Sequence, residues 1–298
     1  MFKSKKDKID STINTVKHKS NAEETLQRLF HNRLAVIGFI LMFILIFVMV
    51  FSSIYYDYEA DIINQNIVNR LKSPGAEHWF GTDELGRDVF ARVLYGARYS
   101  ILIALVADIG ALLVGSALGA IAAFFGKKVD MIIMRIMDIF MAIPSLLLAI
   151  AIVSALGTST RNLILSLIIS GIPTSARMMR GTVLTVRDSD YVESARAIGA
   201  TNTRIILDHI IPNSLAPTLV HGTLYMAVCI TQIASLSFLG LGIQAPIPEW
   251  GAMLSAGRNY IRGYSYLTLF PGLAIMITAL AFNLIGDGLR DALDPRLK

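Results

Sequence analysis

Residues 100–125 read SILIALVADIGALLVGSALGAIAAFF, and this stretch decides the class of fold. Its single ionisable residue is Asp108. As a helix rising about 1.5 Å per residue, the stretch can cross a hydrocarbon core of about 30 Å. Five other apolar blocks resemble it, so the sequence predicts an all-α, polytopic membrane protein with six transmembrane helices. The predicted spans are Leu34–Tyr55, Ser100–Phe125, Ile132–Leu156, Leu163–Met179, Leu215–Leu241 and Tyr266–Ile285.

The composition of the whole chain agrees with this class. Of its 298 residues, 54% are hydrophobic and 16% are charged, and the mean hydropathy is +0.58. Soluble domains carry about 25% charged residues, so a soluble protein of this size is excluded. Cys229 is the only cysteine, and it therefore forms no disulfide within the chain.

Basic residues predict the orientation in the membrane. Lys3, Lys5, Lys6 and Lys8 cluster near the N-terminus, and most of the 27 Lys and Arg residues fall in segments on the same side as this cluster. Since cytoplasmic segments carry the excess of Lys and Arg, we expect the N-terminus inside. Six spans then place the C-terminus inside as well.

Small residues recur every four positions in the second span, at Ala107, Ala111, Gly115, Gly119 and Ala123. At this spacing they share one helix face. Small residues let two helix backbones approach closely in a membrane. The pattern therefore predicts a helix-packing face, either inside a compact bundle or at a contact between subunits.

Polar residues and prolines inside the apolar blocks are the next signal. Ionisable and amide side chains in spans mark polar packing partners or a transport pathway, and Asp108, His221 and Gln232 leave both interpretations open. Arg135 and Asp138 stand three apart and are expected to pair.

Prolines kink or end helices. They occur inside spans at Pro144, Pro173, Pro217 and Pro271.

Two features of the outer loops carry structural expectations. Residues 83–100 have an amphipathic pattern, which predicts an interfacial helix leading into the second span, with Asp88 and Arg92 paired at a spacing of four. Both tryptophans, Trp79 and Trp250, fall in outer loops. Tryptophan is enriched at membrane interfaces, so we expect both to act as interfacial anchors.

The long inner loop reads DSDYVESARAIGATNTRIILDHIIPNSLAPTLV over residues 188–220. Asp190 and Glu193 have the spacing of a capping box, which predicts a short helix from Tyr191 to Ile198. Gly199 is expected to end it in the left-handed conformation. Thr201 is the predicted cap of a second helix, which Pro212 should stop.

This loop resembles the EAA loop of ABC-importer permeases. The consensus of that loop is Glu-Ala-Ala, three residues, Gly, nine residues, Ile, one residue, Leu-Pro. The chain matches it at Glu193, Ala195, Gly199 and Pro212 and departs from it at Ser194, His209 and Ile211. Further stretches resemble the dipeptide, oligopeptide and nickel branch, of the "C" subunit type. These stretches are His78–Asp88, Ser235–Gly242, Pro248–Gly251 and Asn283–Arg296.

The resemblance implies a type I ABC importer (MetI-like) permease fold and a division of the chain. Residues 1–33 would be a cytoplasmic segment, 34–55 the first transmembrane helix, and 56–99 an extracytoplasmic loop with its connector helix. Residues 100–288 would form the transmembrane core, including a cytoplasmic coupling loop at 188–212. Residues 289–298 would be a cytoplasmic tail.

The resemblance also implies partners and a function. The implied partners are a homologous second permease of the B type, two ATP-binding subunits, an extracytoplasmic solute-binding protein and membrane lipid, with no nucleic acid. The ATP-binding subunits would bind ATP and Mg²⁺, so this chain would hold no cofactor, no metal and no catalytic residue. The implied function is import of short peptides across the cytoplasmic membrane of a prokaryote by alternating access.

The resemblance further implies which loop residues dock onto an ATPase. Small residues at Ser194, Ala195 and Gly199 would let the two backbones approach, and arginines would bind acidic groups. The implied docking residues are Tyr191, Glu193, Ser194, Ala195, Arg196, Gly199, Arg204 and Pro212. Two alternatives stay open: nickel or a metal–metallophore complex as substrate, and a secondary transporter or channel.

Overall fold

The computed structural model describes residues 27–293, and the regular structure within that range is helical. The basic cluster at Lys3–Lys8 and the C-terminal residues 294–298 lie outside the described residues. Five helices are long and apolar enough to cross a membrane: α1 (Arg33–Tyr55), α2 (Val89–Phe125), α5 (Thr160–Val186), α7 (Asn202–Phe238) and α9 (Tyr266–Leu293). Between them lie shorter helices: α3 (Lys127–Met141), α4 (Ser145–Leu156), α6 (Asp190–Ala197) and α8 (Trp250–Gly257).

The predicted third span, Ile132–Leu156, is not one straight helix. It divides into α3 and α4, which meet at an angle of 85°. Pro144 explains the break, because it lacks an amide hydrogen and disfavours helical geometry in the residue before it. Pro173, Pro217 and Pro271 instead lie inside helices that continue past them.

The bent pair still amounts to one crossing. Helices α2 and α5 run in the same direction, because Gly110 meets Ile168 and Gly119 meets Ala176 further along both helices. Two parallel neighbours require the chain between them to return to the starting side. Helices α3 and α4 make that return, which gives six crossings within residues 27–293.

The small-residue stripe of α2 faces α5 in the same chain. A Cβ atom on Gly115 would lie 2.7 Å from the carbonyl oxygen of Ile172, and one on Gly119 would collide with the carbonyl of Ala176. The backbones therefore touch along the stripe. Ala107, Ala111 and Ala123 are fully buried, so this face belongs to the core of the bundle.

Helix α1 packs on the inner half of α9. The side chain of Asn32 caps α1 by accepting hydrogen bonds from the amides of Leu34 and Ala35, and its Nδ2 donates to Asp291 at 3.0 Å. Gly288 makes close contact with Ala35. The C-terminal motif of the sequence thus joins the first and last transmembrane helices.

The outer connector is part of α2, which runs without a break from Val89 to Phe125. The predicted boundary between residues 99 and 100 therefore falls inside one helix. The expected Asp88–Arg92 pair is wrong. Asp88 caps α2 through the amide of Ala91 and binds His78 at 2.8 Å. Because Arg92 is buried, it needs acceptors from the protein, and it donates to the carbonyl oxygen of Ile62 at 2.7 Å.

The two tryptophans lie in different environments. Trp79 is 66% exposed, as an interfacial residue can be, whereas Trp250 is 1% exposed. The indole Nε1 of Trp250 donates to the carbonyl oxygen of Val93 at 2.9 Å. Glu249 caps α8 by accepting from the amides of Gly251 and Ala252, both at 2.8 Å. The Pro-Glu-Trp-Gly stretch thus fixes α8 against α2, and the anchoring prediction for Trp250 is wrong.

Candidate functional site

The predicted coupling loop follows the end of α5 at Val186. Arg187 follows, and its Nη1 donates to the carbonyl oxygen of Ala123 in α2 at 2.8 Å. The same guanidinium binds both carboxylate oxygens of Asp188, at 3.0 and 3.2 Å. These hydrogen bonds lower the pKa of the exposed Asp188 carboxyl. The start of the loop is therefore fixed to the inner end of α2.

Helix α6 begins one residue earlier than the sequence predicts. Ser189 is the N-cap, so Asp190 is already helical. The Ser189 hydroxyl donates to the carbonyl oxygen of Val186 and no side chain caps the helix within the described residues. The predicted capping box is therefore wrong, and the Glu193 side chain is left on the exposed surface.

The end of α6 is the turn that the sequence predicts. Gly199 has a φ of +82°. Its amide donates to the carbonyl oxygen of Arg196, and the amide of Ala200 donates to that of Ala195. This is the Schellman arrangement, which places a glycine in the left-handed conformation after the helix. A Cβ on Gly199 would meet no atom within 4 Å, so its backbone conformation is what requires glycine.

One face of α6 belongs to the protein core. Val192 and Ala195 are 0% and 5% exposed and pack in a cluster with Phe124 of α2 and Val183 of α5. Ala195 therefore does not lie on the free surface where the resemblance implied a partner contact. It is small because α6 approaches the ends of α2 and α5.

The opposite surface of the loop is free in this chain. Ile198, at the end of α6, is a large apolar side chain that is 86% exposed. Arg196 is also exposed, and its guanidinium lies 5.4 Å from the centre of the Phe124 ring. Sequence reasoning did not single out Ile198, although its place just before Gly199 is a signal. The exposed docking candidates are Tyr191, Glu193, Ser194, Arg196, Gly199, Arg204 and Pro212.

The second half of the loop leads into the membrane without a stop. Thr201 caps α7, since its Oγ1 accepts from the amide of Arg204 at 3.4 Å. Residues Ile206–Ile210 form a wide π-helical turn, and Pro212 then lies in the first turn of the α-helix Ile211–Phe238. The predicted stop at Pro212 is wrong, because the wide turn accommodates the missing amide hydrogen. The second half of the loop is thus continuous with the membrane-spanning part of α7.

Two ion pairs attach α3 to the inner half of α5. Arg180 holds Asp130 with two parallel hydrogen bonds, of which Nη2–Oδ2 measures 2.6 Å. Arg177 binds Asp138 at 2.6 Å. The predicted Arg135–Asp138 pair is therefore wrong, because α3 crosses α5 and offers Asp138 a better-placed arginine there.

Comparison with known proteins identifies the family to which the chain belongs. Residues 115–298 match the family model described as the inner membrane component of binding-protein-dependent transport systems. Residues 20–74 match the N-terminal transmembrane domain of oligopeptide transport permease C. The chain belongs to this permease family. It is therefore a multi-pass component of the cytoplasmic membrane and not the ATP-hydrolysing subunit, and the alternative of a secondary transporter or channel is set aside.

Relatives support the same branch. The permease is 46% identical to the dipeptide transport system permease protein DppC of Alkalihalophilus pseudofirmus, over 92% of this chain and 90% of that protein. It is 48% identical to the probable D,D-dipeptide permease DdpC of Escherichia coli K12, over 78% of each chain. It is 44% identical to the glutathione permease GsiD of an Escherichia coli O6:K15:H31 strain, over 82% of this chain and 78% of that protein.

Solved structures support the fold. The permease matches a chain of the MetNI methionine ABC transporter in an inward-facing conformation, with a TM-score of 0.57 and 18% identity. The match covers 68% of the permease and 97% of that chain. This likeness shows the type I importer fold.

The polar residues singled out inside the spans lie in two regions of the permease. Asp108 is buried in α2 beside Gly222, and its Oδ1 has no partner within residues 27–293. His221 is half-buried and lies 3.3 Å from the Ser175 hydroxyl. Gln232 donates from Nε2 to the Ser145 hydroxyl at 2.9 Å. The first two lie in the packing between α2, α5 and α7, whereas the last reaches the break between α3 and α4.

Proposed function

We propose that this permease is one transmembrane subunit of an ATP-driven importer of short peptides. The observation that carries the proposal is the free loop surface at the end of α6, with Ile198 at its tip. Helix α6, which carries this apolar tip, packs on α2 and α5 and is followed directly by α7, and the tip fits a groove on an ATPase subunit. Displacement of the tip would then move three transmembrane helices.

The division of labour follows from the family. Importers of this kind combine permease, ATPase and binding protein, and we assign to the partners a homologous B-type permease, two ATP-binding subunits with ATP and Mg²⁺, and an extracytoplasmic binding protein. ATP binding would bring the ATPases together. Because a ligand shifts a conformational equilibrium only through its differential affinity, the docked loop must fit one state of the permease better.

Short peptides are the proposed substrate class, because the relatives described above are named for dipeptide, D,D-dipeptide and glutathione transport. The complete transporter in lipid vesicles should take up labelled dialanine when ATP is present on the cytoplasmic side. Uptake of nickel without uptake of any dipeptide or tripeptide would contradict the proposed substrate.

Docking is tested with one apolar-to-charged substitution and a matched control. Ile198→Asp should prevent co-purification of the ATPase, because the exposed tip can no longer enter an apolar groove. Ile261→Asp changes an isoleucine that is 54% exposed on the outer side, and it should leave co-purification intact. Normal ATPase recovery with Ile198→Asp would contradict docking at this tip.

A further inference from the structure

The break between α3 and α4 leaves polar backbone groups exposed on the surface of this chain. A surface in contact with lipid does not tolerate such groups. Residues 142–145 are all exposed in this chain. The last carbonyl groups of a helix and the first amides of the next have no partner inside their own helix. Hydrocarbon offers none either, so broken backbone at membrane depth occurs only against protein or water.

The break does lie at membrane depth. Helix α4 has 12 residues, so its length is about 18 Å. Helix α4 packs with α5, since Ala149 in its first half shares a cluster with Leu163 and Leu167 near the outer end of α5. The break is therefore well inside a hydrocarbon core of about 30 Å.

Two polar side chains meet at this point. Ser145 is the first residue of α4, and its hydroxyl accepts from Nε2 of Gln232 in α7. Gln232 is 7% exposed, and the other end of its amide, Oε1, has no hydrogen-bond partner within the described range. A buried amide oxygen without a partner is costly, so the fold keeps an unused acceptor on the same side chain that binds the start of α4.

The start of α4 supplies the complementary donors. Pro144 occupies the N-cap and offers no capping side chain. The amides of the first turn and the positive end of the helix dipole are thus free to bind a carbonyl oxygen or a carboxylate. Donors and an acceptor side by side match a peptide main chain, which carries N–H and C=O groups together and ends in a carboxylate.

We propose that the start of α4, with Ser145 and Gln232, is a contact for the peptide main chain on the transport pathway. The α4 amides and the Ser145 hydroxyl donate to a peptide carbonyl or carboxylate, and the Gln232 amide turns to accept a peptide N–H. The contact ignores side chains, as a permease for varied short peptides requires. This inference rests on the proposed function and adds a substrate site to it.

A lipid-facing surface of the same chain gives the comparison. The exposed side chains along one face of α2 are apolar and include Leu105, Ile109 and Leu113. That face contains no break and meets the requirements of lipid contact. The surface at Ser145 also exposes apolar side chains, including Ile143 and Leu147, and it differs by the break in the backbone and by the Ser145 hydroxyl.

Thiol labelling tests access to the break. Cys229 is buried, so an added cysteine is the reactive one. In the assembled transporter in vesicles, Ser145→Cys should react with a charged methanethiosulfonate reagent at least tenfold faster than Leu113→Cys. Dialanine supplied with the binding protein and ATP should slow the reaction at Ser145→Cys. Equal rates at the two positions, or no effect of dialanine, would overturn the proposal.

Transport measurements test the contact itself. Gln232→Met keeps the length of the side chain, and Ser145→Ala removes the hydroxyl that accepts from Gln232. Each should lower the maximal rate of dialanine uptake about tenfold, the effect of one lost hydrogen bond, with unchanged recovery of the complex. Thr231→Val is the control, because that hydroxyl donates to Ala227 within its own helix, and it should transport normally.

The outcomes separate this site from the function. If the native transporter takes up no peptide, the proposed function fails. If the native transporter takes up dialanine and both Gln232→Met and Ser145→Ala keep the native rate, the function stands and the contact at α4 is refuted.

Discussion

At the scale of single residues, the backbone angle of Gly199 supports the proposed docking surface. Its left-handed conformation closes α6 and presents Ile198 beside it. Gly199→Ala should cost about 1 kcal/mol, because alanine tolerates that conformation poorly, and this corresponds to about fivefold weaker ATPase binding. Titration of the permease with its ATPase measures the change.

Gly181 is the matched control for Gly199. A Cβ on either glycine would meet open space, but Gly181 lies inside α5 with an ordinary helical φ. Gly181→Ala should leave ATPase binding unchanged and favour the helix by about 0.5–1 kcal/mol. If both variants bind the ATPase alike, the left-handed angle of Gly199 is not what docking needs.

Residue identity alone predicted the left-handed conformation of Gly199 correctly and the surface position of Ala195 incorrectly. A glycine directly after a short helix commonly adopts the left-handed conformation, because the turn that ends a helix is formed by its own neighbours in sequence. Whether Ala195 faces a partner or the core depends on where α2 and α5 end, and the local sequence does not contain that information. The Arg92 and Trp250 predictions failed for the same reason, since their acceptors lie on segments distant in sequence.

At the scale of elements, the α2–α5 contact depends on the absence of side chains. Gly119→Val would force the valine into the backbone of Ala176, so it should destabilise the bundle by about 3 kcal/mol or more. Ala117→Val enlarges an exposed residue of the same helix and should be neutral. The thermal unfolding midpoint of the purified permease distinguishes the two. An unchanged midpoint for Gly119→Val would mean that the helices can separate at no cost.

The Asp130–Arg180 pair gives a prediction about how firmly α3 is held. It is bidentate and partly buried, with side-chain exposures of 20% and 32%. A double-mutant cycle with Asp130→Asn and Arg180→Gln should give a coupling of about 1–2 kcal/mol. The exposed Arg204–Asp208 pair, at 3.4 Å, should couple by less than about 0.5 kcal/mol. Equal values would show that burial and geometry do not strengthen the α3 contact.

Hydrophobicity predicted the existence of the spans better than their ends. Apolar length does not reveal that α2 begins at Val89 or that α7 begins inside the loop, because helix continues through polar sequence wherever packing supports it. The bend at Pro144 was a recognisable signal. The sequence does not show which side chains hold the two halves: Arg177 and Arg180 of α5 bind α3, and Gln232 of α7 binds the start of α4.

At the scale of the whole molecule, the topology depends on whether α3 and α4 together cross the membrane. The parallel course of α2 and α5 requires a crossing, whereas the 85° bend alone is also typical of a segment that enters and leaves on the same side. With the N-terminus inside, a crossing places Thr158, between α4 and α5, outside and Lys128 inside.

Labelling of single cysteines tests this topology. Because Cys229 is buried, an impermeant maleimide applied to intact cells should label Thr158→Cys and leave Lys128→Cys unlabelled. Inverted vesicles should give the opposite pattern. Glu77→Cys, in the outer segment before α2, serves as the external control because its side chain is 85% exposed. Labelling of both Thr158→Cys and Lys128→Cys from one side would mean that the chain does not cross there, and the parallel packing of α2 and α5 could not be maintained.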